Sequence, residues 1–283
     1  MVYFVSMVKL DRWVGKRDRV LVMGVINVTP DSFFPASRML SPRLAVECAQ
    51  RMVADGADII EIGGESSRPG SDSISAEDEL ERVLPAIEKI HAECDVVLSV
   101  DTTKADVARE ALARGASVIN DISALRADPN MATVAAERGA YVVLMHMQGT
   151  PRTMQTTPQY GDATAEVLGF LEERVREATR RGIPRARLFI DPGIGFGKRL
   201  EHNLALLRGI DRFAATGLPV LVGVSRKSFL GELLDLPASD LLEGTLAAQA
   251  VAVASGADIL RVHDVREGRR VADTARRLRR DAT

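Results

Sequence analysis

One phrase recurs along this chain and limits what it can fold into: a glycine, a short apolar run, then a polar residue at the end of the run. It reads Gly56-Ala57-Asp58-Ile59-Ile60-Glu61-Ile62, then Gly115-Ala116-Ser117-Val118-Ile119-Asn120. It returns as Gly139-Ala140-Tyr141-Val142-Val143-Leu144-Met145-His146 and as Gly256-Ala257-Asp258-Ile259-Leu260-Arg261-Val262-His263. Each copy follows an Ala-, Glu- and Arg-rich stretch of helical period, such as residues 44–55 or 104–114. A glycine just past a helix suits the left-handed closing turn. The apolar run behind it has the character of a strand buried on both faces, as a parallel sheet requires. Further runs at residues 20–27, 96–101, 188–191 and 219–225 bring the count of strand candidates to eight, each followed by a helical segment. The last helix is Arg-rich, residues 265–280. With no break in composition, the chain is expected to form a single domain over residues 1–283, with 1–19 an extension leading into the first strand. Right-handed crossovers would close the strands into an α/β (β/α)8 TIM barrel. A doubly wound sheet shares the same alternation and is the alternative.

Charge excludes some partners. The net charge is −2, from 37 basic and 39 acidic residues, so the basic excess that nucleic-acid or anionic-membrane binding draws on is missing. At 4% aromatic residues, a platform stacking several bases is not expected. The N-terminal stretch is interrupted by Ser6, Lys9, Asp11 and Arg12 and does not read as a signal peptide. Cys48 and Cys94 lack metal-ligand spacing and suit reduced cysteines in a cytoplasmic protein.

In a barrel, chemistry belongs to the carboxyl ends of the strands. The residues there are Asn27, Gly63-Gly64-Glu65, Asp101, Asn120-Asp121, His146, Asp191, Ser225-Arg226-Lys227 and His263. Asn and Asp also end strands for turn and capping reasons, so any one of them could be structural. Taken together they are better read as a site. Asp101, Asn120, Asp191 and Lys227 would face one another across the mouth and offer acceptors and donors to an amino-pyrimidinone ring. A metal shell is the rival use of the acids, but Asp101 and Asp191 have no His or second carboxylate beside them in sequence. Arg68, Arg261 and His263 form a second, cationic group suited to phosphate. Arg261 and His263, two apart, share one strand face; the alternative for Arg261 is an ion pair inside the barrel.

The run Asp191-Pro192-Gly193-Ile194-Gly195-Phe196-Gly197-Lys198 fits neither a P-loop nor a dinucleotide fingerprint in its spacing. Its glycines would let a loop turn tightly beside a ligand, with Phe196 as an apolar wall. The loops of residues 28–41 and 63–75 are long for their place and are candidate lids.

The segment from Met23 through Asn27 to Phe33 resembles the first signature of dihydropteroate synthases, and Gly63 through Arg68 and Pro69 resembles the second. Asp101-Thr-Thr-Lys104, Asn120-Asp121-Ile122, Met145-His146-Met147, Asp191 to Lys198, Ser225-Arg226-Lys227-Ser228 and Arg261-Val262-His263-Asp264 follow in that family's order, over nearly the whole chain. The resemblance implies joining of 6-hydroxymethyl-7,8-dihydropterin pyrophosphate to p-aminobenzoate. It implies pterin contacts from Asp101, Asn120, Asp191 and Lys227, and pyrophosphate contacts from Asn27, Arg261 and His263, with Asn27 also reaching a Mg²⁺. It implies an aminobenzoate pocket made by Phe33, Ser67, Arg68, Pro69, Phe196, Lys227 and Ser228, and a homodimer.

Two positions depart from the family pattern. Ser67 stands where threonine is commonest, and residues 32–38 replace a usual Ser-Asp-Gly-Gly run and lack its aspartate. Altered aminobenzoate or sulfonamide affinity is expected; unchanged sulfonamide inhibition after restoring Asp and Gly there would refute this. Two other functions share parts of the pattern. A pterin-binding methyltransferase serving a corrinoid protein would have no use for Ser225 to Ser228 or for Arg261 and His263. A non-catalytic paralogue would not need Asn27, Lys227, Arg261 and His263 together. The Arg-rich end, interrupted by Glu267, Asp273 and Asp281, reads as a solvated outer helix rather than a nucleic-acid patch.

Overall fold

The structure is a computed structural model, and it describes residues 2–29 and 41–279, with side chains from residue 9 onward. Phe33 and the atypical run 32–38 lie outside the described residues. The strands are β1 (Leu21–Asn27), β2 (Ile59–Gly63), β3 (Val97–Asp101), β4 (Val118–Asp121), β5 (Tyr141–Met145), β6 (Leu188–Asp191), β7 (Leu221–Val222) and β8 (Ile259–Val262). The helices are α1 (Val2–Lys16), α2 (Pro42–Ala54), α3 (Ala76–Glu93), α4 (Ala105–Ala113), α5 (Met131–Arg138), α6 (Ala163–Arg180), α7 (Leu200–Arg208), α8 (Ile210–Ala214), α9 (Ser228–Leu234), α10 (Leu242–Ala254) and α11 (Val265–Leu278).

All strand pairs are parallel, in the order β6-β5-β4-β3-β2-β1-β8-β7. The ends of that order meet: Ile190 of β6 bridges Val220 just before β7, and its N–H donates to Pro219 O at 3.0 Å. That contact makes a barrel of what would otherwise be an open sheet, and excludes the doubly wound alternative. The recurring glycines behave as their positions require, with Gly56 at φ +101, Gly115 at +115, Gly139 at +62 and Gly256 at +116, each just beyond a helix.

Alternate residues divide into two cores. Outward-facing Val22, Ile60, Leu98, Ile119, Val142, Ile190, Val222 and Leu260 pack under the helices. Inward-facing Leu21, Met23, Ile59, Val97, Val118, Tyr141, Val143, Phe189, Leu221 and Ile259 fill the barrel. Its N-terminal end is stoppered by α1, a helix within the stretch expected as an extension. Leu10 and Trp13 join the interior cluster, and Trp13 meets Phe189 edge-on at 6.1 Å between ring centroids. The opposite end is where the filling turns polar.

The seventh strand is shorter than expected, two residues against residues 219–225. Past Val222 the chain stays beside β8 through a side chain: Ser225 Oγ accepts from His263 N–H at 3.2 Å where a ladder bond would otherwise lie. Arg226 then turns with φ +53 and is held by Asp264 through two hydrogen bonds, 2.9 and 3.0 Å. Helix α11 buries Val265, Gly268, Ala272 and Ala275 and exposes Arg266, Arg270 and Arg277, as its charge pattern implied, but Arg269 folds inward to donate to Val20 O at 2.9 Å and to Asp58 at 3.2 Å. Among the described residues, no helix is long and apolar enough to cross a membrane.

Candidate active site

Register explains how the polar residues gather. Asn27 of β1 is level with Gly63 of β2, Gly63 with Asp101 of β3, and Asp101 with Asn120 of β4. All four positions face inward at the carboxyl end of the barrel. One step deeper, Glu61 lies level with Val25 and Ser99, and Arg261 of β8 lies level with Met23. Gly63 leaves space between its neighbours, since a Cβ there would stand 3.4 Å from Asn27 Oδ1 and 3.7 Å from Asp101 Cβ.

Glu61 is the residue that sequence reading missed. It is wholly buried, and Arg261 donates to its Oε1 from Nε at 2.6 Å, with Nη2 at 2.5 Å. Asn120 Nδ2 donates to its Oε2 at 2.7 Å. Arg261 Nη2 also reaches Asp101 Oδ2 at 3.2 Å. One guanidinium thus serves two carboxylates, which is the internal ion pair considered for Arg261, and Asp101 has the second carboxylate that sequence neighbours did not supply. The available signal was a lone acid in an otherwise apolar strand run, two residues before Gly63.

These contacts set the charges. Burial, and next the nearby charge of Glu61, push the pKa of Asp101 up to about 8 against the opposing pull of Arg261. Arg261 is held above its ordinary value: burial works against its charge, but Glu61 and Asp101 outweigh that. Asp191 on β6 is raised by burial despite Lys227 and the N–H of Gly193, which donates to its Oδ1 at 2.7 Å. Burial lowers Lys227 to about 8, with Asp191 resisting. Asn120 Oδ1 is buried without a hydrogen-bond partner. A buried amide oxygen left unpaired costs free energy unless a ligand satisfies it.

The loop after β6 turns as its glycines suggested, with Gly193, Gly195 and Gly197 at φ +65, +87 and +64. A Cβ on Gly193 would lie 1.9 Å from His146 O, so the loop rests directly on the end of β5. Buried Lys198 fastens it there, its Nζ donating to Phe196 O at 2.8 Å and lying 3.0 Å from His146 Nδ1. Phe196 joins Ile122, Met145, Met147 and Met154 as an apolar wall. Lys227 Nζ sits 4.5 Å from its ring centre and donates to Ile194 O. Asp121, by contrast, is structural: it accepts from Ser123 N–H at 2.7 Å and Leu125 N–H at 2.9 Å.

The fold therefore assembles Asn27, Asp101, Asn120, Asp191, Lys227, Phe196 and Arg261 around one mouth. His263 is exposed at the rim, its Nδ1 3.0 Å from Ser225 Oγ, and Ser228 is exposed beside Lys227. Ser67 is half-buried and Arg68 and Pro69 are exposed, on a loop tied across to the β5 side by Gly70 N–H donating to Pro151 O at 3.0 Å.

Comparison with known proteins decides the family. Residues 23–263 match a family described as pterin binding enzyme. The dihydropteroate synthase of Escherichia coli (strain K12) is 48% identical over 246 residues, covering 87% of this chain and 87% of that protein. The chain belongs to the dihydropteroate synthase family. Solved members superpose closely. The Yersinia pestis dihydropteroate synthase, in a sulfonamide complex, has a TM-score of 0.89 at 42% identity, over 93% of this chain and 96% of that one. The Xanthomonas albilineans dihydropteroate synthase with 4-aminobenzoic acid has 0.87 at 42%, over 94% and 95%. The span matched by the pterin binding enzyme family runs from within β1 to just past β8, and so contains every strand end named above.

Proposed function

We infer that this chain is a transferase that condenses 6-hydroxymethyl-7,8-dihydropterin pyrophosphate with p-aminobenzoate, giving 7,8-dihydropteroate and pyrophosphate. The observation that carries this reading is the unpaired, buried Asn120 Oδ1, level with Asp101 at the polar end of the barrel. Such a group of acceptors calls for a ring edge rich in N–H donors, and leaves polar atoms unpaired with any other ligand.

In this reading Asp101, Asn120, Asp191 and Lys227 hold the pterin. Arg261 and His263 receive the pyrophosphate; Arg261 Nη1 takes part in neither of the contacts that Nε and Nη2 make with Glu61 and Asp101. The bond between the pterin methylene and the pyrophosphate oxygen breaks, and its electron pair leaves with pyrophosphate. Asp101, which the empty barrel keeps protonated below about pH 8, and Asp191 would favour positive charge on the pterin once ionised. The aromatic amine then bonds to the methylene and afterwards loses a proton. Phe196, Ser67, Arg68, Pro69, Ser228 and Phe33 would bound the aminobenzoate.

Mg²⁺ keeps most of its waters and needs only one or two protein oxygens beside substrate phosphates. Among the described residues no set of three His, Cys, Asp or Glu side chains could form a protein cage, whereas Asn27 offers an amide oxygen toward Gly63, 3.4 Å from where a Cβ there would stand. The donor set suits an ion brought with the pyrophosphate, and Asn27 would hold it. When bound, Mg²⁺ would offset charge on the leaving group.

The protein would act as a homodimer in the cytoplasm. Support for the first comes from α10, whose exposed side carries Ala247, Val251 and Ala254, with Val251 47% exposed. Support for the second comes from Cys48 and Cys94, both free thiols.

The test is incubation with the pterin pyrophosphate, Mg²⁺ and labelled p-aminobenzoate. Labelled dihydropteroate and released pyrophosphate are expected, with turnover lowered about 100-fold or more in Lys227→Ala and Arg261→Ala. Pterin binding without product would move the non-catalytic reading to the front.

A further inference from the structure

Glu61 touches the candidate site without facing a ligand. Its Oε1 is occupied by Arg261 and its Oε2 by Asn120, and the side chain has no exposed surface. It lies one inward step below Asp101 and Asn27 in the barrel register, beneath the residues that would meet substrate.

Its chemistry constrains what lies above it. An ionised carboxylate can only accept hydrogen bonds. The Asn120 amide could in principle present either end to the mouth, but the group facing Glu61 must be the NH₂. The carbonyl Oδ1 is then turned away from Glu61, and it is this atom that is buried without a partner. The same carboxylate fixes Arg261 through two of its nitrogens, which orients the remainder of the guanidinium. We propose that Glu61 is a positioning residue that sets the hydrogen-bond polarity of the mouth, presenting Asn120 Oδ1 as an acceptor and holding Arg261 in place. The proposal rests on the pterin-binding reading given above. It adds that preference for a ring with an N–H edge depends on a residue that never contacts the ring.

The change Glu61→Gln keeps shape and removes charge. If the new amide accepts from Arg261, its NH₂ faces residue 120, and Asn120 must turn its own NH₂ toward the ligand. Exchanging the pair, Glu61→Gln with Asn120→Asp, repairs this. The amide at 61 donates to one oxygen at 120, the other oxygen again faces the ligand as an acceptor, and the buried charge is conserved.

The experiment measures the Kd of the pterin pyrophosphate by calorimetry and steady-state KM for both substrates, in wild-type protein, Glu61→Gln and the exchanged pair, with thermal melts on each. In Glu61→Gln the Kd and KM for the pterin should rise about tenfold or more, with KM for aminobenzoate changed less than about twofold. The exchanged pair should recover most of the pterin affinity. Unchanged pterin affinity in folded Glu61→Gln, or no recovery in a folded exchanged pair, would overturn the proposal. So would equal rises in both KM values, which a general loosening of the barrel would produce. Should Glu61→Gln not fold, the exchanged pair decides alone: pterin affinity within about tenfold of wild type supports the proposal and its loss rejects it. Wild-type protein that neither binds the pterin nor forms product would instead sink the functional reading, and is distinguished by being measured first.

Discussion

Asp101 stands between opposing neighbours: Arg261 favours its charge, while burial and Glu61 disfavour it more, so its pKa rises from 3.8 to about 8. The folded protein therefore holds a proton there that the unfolded chain has released. The stability linked to this group is fully present below the unfolded value of 3.8 and is lost as pH rises through about 8. Replacing Asp101 by Asn removes that penalty. At pH 9 the Asn variant should melt above the wild-type protein by a few degrees, on the order of 2–4 °C for each kcal/mol. The gap should narrow toward pH 5, and pterin affinity should fall at every pH. Calorimetric melting curves across that range check it, and parallel pH dependence in the two proteins would refute it. Comparison with the variant also separates Asp101 from Lys227, whose depressed pKa makes wild-type stability rise with pH from about 8 toward its ordinary 10.5. A carboxyl proposed to bind the ligand is thus one whose charge costs the empty protein stability.

At the scale of elements, α1 and the loop after β6 do opposite work at opposite ends of the barrel. Trp13 of α1 is 6% exposed, donates from Nε1 to Arg19 O at 2.8 Å, and meets Phe189 within the interior cluster that also holds Tyr141. Its removal would open a cavity at the N-terminal end, far along the strands from Asp101 and Asn120. Trp13→Ala should lower unfolding free energy by about 3–5 kcal/mol. Turnover per folded molecule should stay within about twofold, because chemistry belongs to the other end of the strands. Denaturant melts and kinetics at a temperature where both proteins are folded test the pair of expectations; a large loss of turnover would mean that the two ends are coupled. The loop after β6 is fixed for the sake of the site. Gly193 lies too close to His146 O for any side chain, and Lys198 ties Phe196 to the same strand end, so Ile194 O and the Phe196 ring receive Lys227 in a set place.

For the whole molecule, the closing contact between Ile190 and Val220 turns eight strands into a barrel with a stoppered end and a polar end. Among the described residues, α10 exposes Val251 and α9 exposes Leu233 and Leu234. Val251→Glu should convert the proposed homodimer to monomer without unfolding it, because a charge in an apolar interface is left unpaired. Sedimentation equilibrium would read half the mass, and an unchanged mass would place the interface elsewhere. What the sequence determined by itself is the alternation of strand and helix, the glycine-closed helices, and the gathering of polar residues at strand ends. These are local: period, turn chemistry and residue type suffice, and they point to Asn27, Asp101, Asn120, Asp191, Lys227, Arg261 and His263. Closure of the barrel, the stopper made by α1 and the function of Glu61 were decided only in three dimensions. Glu61 meets Asn120 and Arg261 across 59 and 200 positions of chain, and in sequence it is one acid in an apolar run. No periodicity encodes such a partner, because a buried charge is specified by whatever the fold brings within 3 Å of it.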